Sequence, residues 1–259
     1  ARSMAEVSPA RVITFGLMPG ADIFAQDLHY RFENESYDIA GLNFKLNHEG
    51  NIVPVEMPHI LGENGIYAAL AAAAVALHFG MNLMQIAEAL RSFRLPAGRM
   101  QLLPGIKHTF LIDDSYNSSP EACLSAIKVL GKIKIDEGAS KYAVLGDMLE
   151  IGAYTEKGHA ELGRVLFEQG IDYLVSVGER ARDIDRGAKD AGMSPDFIFH
   201  FDRSSEAGSF IQERLRAGDV VLIKGSQGAR MEKISKELMA EPERADELLV
   251  RQGPAWQDR

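Results

Sequence analysis

The sequence predicts an α/β protein with a Rossmann-like C-terminal domain, which has a mostly parallel sheet and follows a partial α/β domain. Two observations support this fold class. From Arg99 onward, β-rich apolar segments alternate with helical segments, which is typical of a parallel sheet with helices on both faces. Before Pro96 the order differs, because strands come first and helices follow. We place the domain boundary between residues 97 and 98, giving domains of residues 1–97 and 98–259.

The first domain is predicted to begin with strands and to end with two helices. Residues 11–16 and 23–25 are β-rich, and residues 37–55 alternate around a central turn, which is typical of a hairpin. An apolar helix follows Gly62 and stops at Gly80. Residues 83–93 carry apolar side chains at helical spacing.

The second domain is predicted to contain five strands separated by helices. They cover residues 109–112, 142–145, 173–177, 197–201 and 220–223. The charged tail after Glu241 favours a short helix followed by a loose end.

Composition excludes several classes of protein. A net charge of −9 with dispersed Lys and Arg argues against a nucleic-acid binder. No apolar run approaches the roughly 20 residues that span a bilayer. No secretory signal is visible and the single Cys123 excludes an internal disulfide, so we expect a cytoplasmic protein with Cys123 in its core. The sequence shows no recognised spacing of metal ligands, although Mg²⁺ held between carboxylates and a nucleotide would leave no such pattern.

A polar cluster follows the first strand of the second domain. The apolar run ends in Asp113-Asp114-Ser115-Tyr116-Asn117, and Ser118 or Ser119 is placed to cap a helix that Pro120 opens. Ligands of open α/β sheets gather at the carboxyl ends of strands, so this cluster is a candidate ligand-facing loop. An ordinary turn before a capped helix is the alternative.

Two other strand ends are followed by small and polar residues, and right-handed crossovers bring such loops to one edge of the sheet. In one loop, Asp147 and Glu150 could hold an ammonium group or order the loop. In the other, Lys224, Ser226 and Arg230 offer donors to an anionic ligand. Helix-start turns without a ligand explain both loops equally well.

Two further residues are candidates by position. Arg99 follows a Pro-Ala-Gly breaker at the domain boundary, where its planar fork could reach a phosphate; a surface arginine on a linker is the alternative. His159 could position a substrate, but a solvated histidine at a helix start is favoured.

Four ordered motifs together resemble the C-terminal half of the Mur ligases. They are Gly98-Arg99, Asp113-Asp114-Ser115-Tyr116-Asn117, Leu145-Gly146-Asp147-Met148-Leu149-Glu150 with His159 behind it, and Lys224-Gly225-Ser226. The second motif is similar to the branch of the family that adds D-alanyl-D-alanine to UDP-N-acetylmuramoyl-tripeptide. The resemblance implies that residues 1–97 are part of a central ATPase domain and residues 98–259 a complete ligase domain.

The resemblance also implies a reaction and roles for the candidate residues. ATP, with Mg²⁺, would phosphorylate the tripeptide carboxylate, and the amine of D-alanyl-D-alanine would attack the acyl phosphate. The implied roles are catalysis for Asp114, Tyr116 and Asn117, ATP binding for Arg99 and Asp114, and substrate binding for Asn117, Asp147, Glu150, Lys224 and Ser226. No protein-bound metal, nucleic acid or membrane is implied, and a monomer is favoured.

The sequence departs from the family pattern in two places. It contains no G-x-x-x-x-G-K-[ST] loop to cradle phosphates, so we expect a piece of a longer enzyme that is inactive by itself, with the main Mg²⁺ and phosphate ligands in the missing part. Gly65 and Ala68 stand where the family has two asparagines, which leaves open how adenine is held. The main rival hypothesis is a non-catalytic nucleotide-binding or interaction module with a Mur-like fold, and a third is another ligase of the same superfamily with an amino-acid polymer or folate substrate.

Overall fold

The computed structural model describes residues 2–33, 38–58 and 60–256. These residues form two compact units, one ending at Arg94 and the other beginning at Leu95. The sequence-based boundary lies three residues further along the chain.

The first unit contains a four-stranded sheet and three helices. Its elements are α1 (Arg2–Val7), β1 (Phe15–Gly16), β2 (Ile23–Glu33), β3 (Asp38–His48), β4 (Asn51–Pro58), α2 (Glu63–His78) and α3 (Leu83–Arg91). The order β1-β2-β3-β4 joins one parallel pair to two antiparallel pairs.

Most predicted elements of the first unit are present with changed lengths. The hairpin of β3 and β4 and both helices are confirmed, although Tyr37, where the hairpin was predicted to begin, lies outside the described residues. The strand predicted at residues 11–16 shrinks to two residues, whereas that at 23–25 extends to eleven. Helix α3 begins at a capping box, in which the side chains of Asn82 and Gln85 each accept from the other's backbone N–H.

The second unit contains a six-stranded sheet. Its strands are β5 (Gln101–Gly105), β6 (Thr109–Asp114), β7 (Lys141–Gly146), β8 (Tyr173–Val177), β9 (Ile198–Phe201) and β10 (Val220–Lys224). The order is β5-β6-β10-β7-β8-β9, and every pair except β5 with β6 is parallel. All five predicted strands are confirmed. Strand β5 was not predicted, because it carries Pro104 and proline argues against a strand except at a sheet edge, where β5 lies.

Helices cover both faces of this sheet, as predicted. They are α4 (Pro120–Lys132), α5 (Thr155–Glu168), α6 (Arg182–Ala191), α7 (Ser204–Arg214), α8 (Glu232–Leu238) and α9 (Ala245–Leu248). One core joins alternate strand residues such as Leu111 and Val221 to α7, α8 and the tail, while α4, α5 and α6 pack side by side. The short helix predicted in the tail is confirmed as α9, but the predicted loose end is wrong at Leu249 and Arg251, because Leu249 is buried in this core and the Arg251 side chain is only 6% exposed.

Within the described residues, no helix has the length and apolar character needed to cross a membrane.

Helices α5 and α6 touch backbone to backbone through two glycines. A Cβ on Gly187 would lie 2.0 Å from the carbonyl oxygen of Ala160, and one on Gly163 would lie 2.0 Å from that of Ile184. Neither contact is tolerable for a carbon atom, so these positions require glycine. The helices approach closely because both side chains are absent.

Gly187→Ala is therefore expected to lower the free energy of unfolding of the second unit by about 1–3 kcal/mol. The overpacking outweighs the roughly 0.5–1 kcal/mol that alanine gains over glycine inside a helix. Urea unfolding followed by circular dichroism measures the difference. Gly253→Ala is the matched control, because a Cβ there meets no atom within 4 Å. Equal stabilities of the two variants would contradict the close approach.

Candidate active site

The two aspartates at the end of β6 point to opposite faces of the sheet, because side chains alternate along a strand. Asp113 shares the face of α8, where the Ser235 hydroxyl donates to its Oδ1 at 2.6 Å. Asp114 shares the opposite face with Lys224, whose Nζ donates to its Oδ2 at 2.6 Å. The polar cluster is thus divided between two environments.

Asp114 and Lys224 form a buried ion pair at the carboxyl edge of the sheet. They are register partners on the neighbouring parallel strands β6 and β10, so their side chains emerge side by side. The Lys224 Nζ also donates to the carbonyl of Asn117 at 3.0 Å, and the Met100 N–H donates to Asp114 Oδ1 at 3.1 Å. Burial raises the pKa of Asp114, while the Lys224 charge acts in the opposite direction. The pair joins two strand ends to the loop and to the segment beside Arg99.

Asp113 is an interior residue rather than a ligand-facing one. It is fully buried, and its Oδ2 accepts no hydrogen bond within the described part of the chain. Burial raises the pKa of Asp113 to about 6; the Ser235 hydrogen bond opposes this shift, and the nearby charges of Asp114 and Glu232 add to it. The prediction that the whole polar cluster faces a ligand is therefore wrong for Asp113.

Arg99, Tyr116 and Asn117 are exposed side chains, two of which touch. The Arg99 guanidinium lies over the Tyr116 ring, 4.3 Å from its centroid. The Tyr116 N–H donates to the carbonyl of Gly98 at 3.0 Å. Gly98 adopts φ +71°, and a Cβ there would lie 3.0 Å from the Tyr116 nitrogen. A glycine before Arg99 thus lets the boundary segment pack against the loop.

The loop after β7 is ordered by Asp147. Its Oδ1 accepts from the Ala181 N–H at 2.8 Å, and its carbonyl accepts from the Ser226 N–H at 2.9 Å. Of the two alternatives for this residue, loop ordering is the one that these contacts support. Glu150 adopts φ +63°. Its side chain is exposed, so its carboxylate is available to solvent.

Lys224 and Ser226 are buried and bonded to neighbouring loops. The Ser226 Oγ accepts from the Leu149 N–H at 2.8 Å and donates to the Ser118 carbonyl at 3.4 Å. Its side chain therefore joins the loop after β7 to the loop after β6. Contact of Lys224 or Ser226 with a substrate stays a prediction, since both side chains are already bonded within the protein.

The favoured interpretation of His159 as a solvated residue is wrong. The ring is completely buried; its Nε2 accepts from the Met148 N–H at 2.9 Å, and its Nδ1 lies 2.7 Å from the Thr155 carbonyl. The proton therefore belongs on Nδ1, which donates to Thr155. His159 therefore stabilises the loop that contains Asp147 by accepting from the Met148 N–H.

Two residues that hold the candidate loop were not predicted from the sequence: Arg251 contacts the loop directly, and Glu232 pairs with Arg251. The Arg251 guanidinium donates to the carbonyls of Ser115 and Tyr116, and it pairs with the buried Glu232, which also pairs with Arg230. Glu232 gave no signal, because an acidic residue in the first turn of a helix is common. Arg251 gave none, because nothing in a charged tail distinguishes one arginine from another.

The described residues offer little for a metal ion or a nucleophile. No group of three His, Cys, Asp or Glu side chains could hold a metal within the described ranges. Cys123 is buried as predicted, and burial raises the pKa of its thiol to about 11. The exposed Arg99 guanidinium offers a planar set of donors to an anionic ligand.

The second unit is thus an α/β domain whose polar loops meet at the carboxyl edge of a parallel sheet, the class in which ligands bind at that edge. The family model of the Mur ligase, glutamate ligase domain, matches residues 98–227, about half of the chain. The chain belongs to the Mur ligase family.

Relatives and solved structures agree with this assignment. UDP-N-acetylmuramoyl-tripeptide–D-alanyl-D-alanine ligase of Bacillus subtilis is 29% identical over 230 residues, covering 88% of this chain and 47% of the relative. A crystal structure of MurF from Acinetobacter baumannii matches with a TM-score of 0.70 at 28% identity, over 86% of this chain and 46% of that one. MurF from Thermotoga maritima shares the fold with a TM-score of 0.71 at 23% identity, over 90% and 49%. The chain spans about half the length of the curated relatives it matches.

Proposed function

We propose that this chain supplies the C-terminal half of an ATP-dependent amide ligase of peptidoglycan synthesis. The enzyme adds D-alanyl-D-alanine to UDP-N-acetylmuramoyl-tripeptide through an acyl phosphate. The observation that carries the proposal is the grouping of Arg99, Tyr116 and Asn117 at the sheet edge above the buried Asp114–Lys224 pair. These are the positions that the family motifs occupy.

In this proposal, most of the residues act through position and charge, which dominate phosphoryl transfer. Arg99 binds ATP phosphate with its exposed guanidinium. Asp114 holds Lys224 and the Met100 backbone beside it, and through them fixes the loop. Tyr116 and Asn117 lie near the reacting end of the substrate. Their exposure leaves them free to do so.

The residues proposed for the incoming dipeptide lie on the loops after β7 and β10. They are Asp147 and Glu150 on the first loop and Lys224 and Ser226 on the second. Glu150 alone among them is exposed, so it is the one available for direct contact with the dipeptide ammonium group. The other three shape the loops through the bonds described above.

Mg²⁺ is not assigned a site on this chain. Both Asp114 carboxylate oxygens already accept hydrogen bonds, and the described residues contain no cluster of metal ligands. The proposal therefore leaves Mg²⁺ and the phosphate-binding loop to the part of the relatives that this chain does not span. A cytoplasmic monomer is part of the same proposal.

A non-catalytic module with the same fold is the second candidate, and it would differ from the enzyme in having no phosphate-binding loop of the G-x-x-x-x-G-K-[ST] type. The reading frame that contains this sequence separates the two. A phosphate-binding loop encoded upstream supports the enzyme, and a frame without one supports the module.

Arg99→Ala in the protein encoded by the whole reading frame is expected to raise the KM for ATP on the order of tenfold or more, because a charge-assisted contact to phosphate contributes about 1.5–3 kcal/mol. ADP release that requires both substrates measures the reaction. Arg94→Ala is the matched control, since Arg94 is exposed and, among the described residues, bonds to the neighbouring carbonyls of Arg91 and Phe93. An unchanged KM for ATP in Arg99→Ala would remove this residue from the nucleotide site.

A further inference from the structure

Arg251, in the C-terminal tail, contacts the backbone of the candidate loop after β6, which covers residues 115–119. Its Nη1 donates to the Ser115 carbonyl at 3.1 Å, and its Nη2 donates to the Tyr116 carbonyl. Its side chain is only 6% exposed. A planar guanidinium suits this arrangement, because its fork presents parallel donors to two consecutive acceptors. Two carbonyls of one turn are thereby fixed relative to each other.

The charge of Arg251 is compensated inside the protein. Glu232, which is completely buried at the start of α8, lies 3.1 Å from the Arg251 Nη1. Its other oxygen lies 2.6 Å from the Arg230 Nε. A buried guanidinium without such a partner would be strongly disfavoured, so Glu232 is what allows Arg251 to sit against the loop.

The loop is held from two sides. On one side the Tyr116 N–H donates to the Gly98 carbonyl, and on the other the Tyr116 carbonyl accepts from Arg251. Val250, beside Arg251, packs against Gly98, because a Cβ added to Gly98 would lie 3.1 Å from the Val250 Cγ1. Consequently the tail and the Gly98 segment hold Tyr116 from opposite sides, and loss of the tail contact reaches Tyr116 and Asn117 directly.

We propose that Arg251 is a positioning residue for the ligase reaction, and that with Glu232 it fixes the orientation of Tyr116 and Asn117. The inference rests on the proposed function. Arg251 need not touch substrate, because its bonds end on the loop backbone. Its loss releases the loop while leaving the Asp114–Lys224 pair in place.

Hydrogen exchange of the chain itself tests the contact without reference to activity. In Arg251→Ala, the backbone amides of residues 115–119 are expected to exchange roughly tenfold faster or more, while those of β7 stay unchanged. Arg251→Lys is expected to give an intermediate change, because an ammonium group keeps the charge opposite Glu232 but lacks the fork. Arg244→Ala is the matched control in the same tail, since within the described part of the chain Arg244 pairs with the exposed Glu241 and Glu247.

Kinetics of the whole-frame protein tests the role. Arg251→Ala is expected to lower kcat on the order of 100-fold, as misplacement of a catalytic group does, with little change in the KM for ATP. Arg251→Lys is expected to recover part of this loss. A wild-type protein without ligase activity would contradict the proposed function but not the contact between Arg251 and the loop. The exchange data would then show whether that contact exists. Unchanged kcat in an active enzyme, unchanged exchange at 115–119, or faster exchange throughout β7 would overturn the positioning role.

Discussion

Lys224→Met is expected to lower the free energy of unfolding of the second unit by about 3–5 kcal/mol, the usual effect of removing one partner of a buried ion pair. The lysine ammonium is the charge partner of Asp114 and also a donor to the Asn117 carbonyl. Methionine fills a similar volume, so the change removes charge and hydrogen bonds rather than packing. The Asp114 carboxylate is left buried without its counter-charge, and this accounts for the size of the expected loss. Urea unfolding followed by circular dichroism measures it.

Two further variants distinguish this explanation from a general loss of stability. Lys128→Met, on the exposed side of α4, is the matched control and is expected to change stability by less than about 0.5 kcal/mol. Adding Asp114→Asn to Lys224→Met is expected to recover part of the loss, because a neutral amide can still accept from the Met100 N–H. A Lys224→Met protein as stable as the control would show that the pair is not a buried charge pair.

Asp113→Asn is expected to stabilise the protein at neutral pH and to leave it nearly unchanged in acid. Burial raises the pKa of Asp113 to about 6, from an ordinary value of 3.8. The folded state therefore holds the proton more tightly than the unfolded state, so the stability of the native protein falls as pH rises between those two values. The asparagine variant lacks this titration and keeps an acceptor for the Ser235 hydroxyl. Its advantage at neutral pH is expected to reach about 2–3 kcal/mol.

The measurement is the difference in unfolding free energy between Asp113→Asn and the native chain, taken at about pH 4 and about pH 8. Taking the difference removes the effect of the other titrating groups, which are shared by both proteins. Asp136→Asn, in an exposed turn, is the matched control for the loss of one carboxylate. An advantage that shrinks as pH rises would contradict the sign of this linkage.

The fold was predictable because its signals are local. Five parallel strands of the second unit could be read from apolar segments between helical ones, and Ser119 caps α4 through the Ala122 N–H before Pro120, as the sequence indicated. The edge strand β5 was missed for a physical reason. Its Pro104 is tolerated because β5 lies at the edge of the sheet, and the residues of a strand do not by themselves indicate its position in the sheet.

The candidate site was predictable in its parts but not in its contacts. Alternation along β6 implies that Asp113 and Asp114 face opposite ways, yet only the register of β6 with β10 reveals that Lys224 is the partner of Asp114. Long-range contacts of this kind depend on chain topology. The same is true of Arg251, which reaches the loop from more than a hundred residues away.

The central claim is tested most directly by identifying the product. The protein encoded by the reading frame that contains this sequence is incubated with ATP, Mg²⁺, UDP-N-acetylmuramoyl-tripeptide and D-alanyl-D-alanine, and the nucleotide product is examined by mass spectrometry. The account predicts the pentapeptide precursor, formed only when ATP and both substrates are present and absent when residues 1–259 are assayed alone. A folded full-frame protein that binds these compounds but forms no pentapeptide would contradict the account and would favour the non-catalytic module.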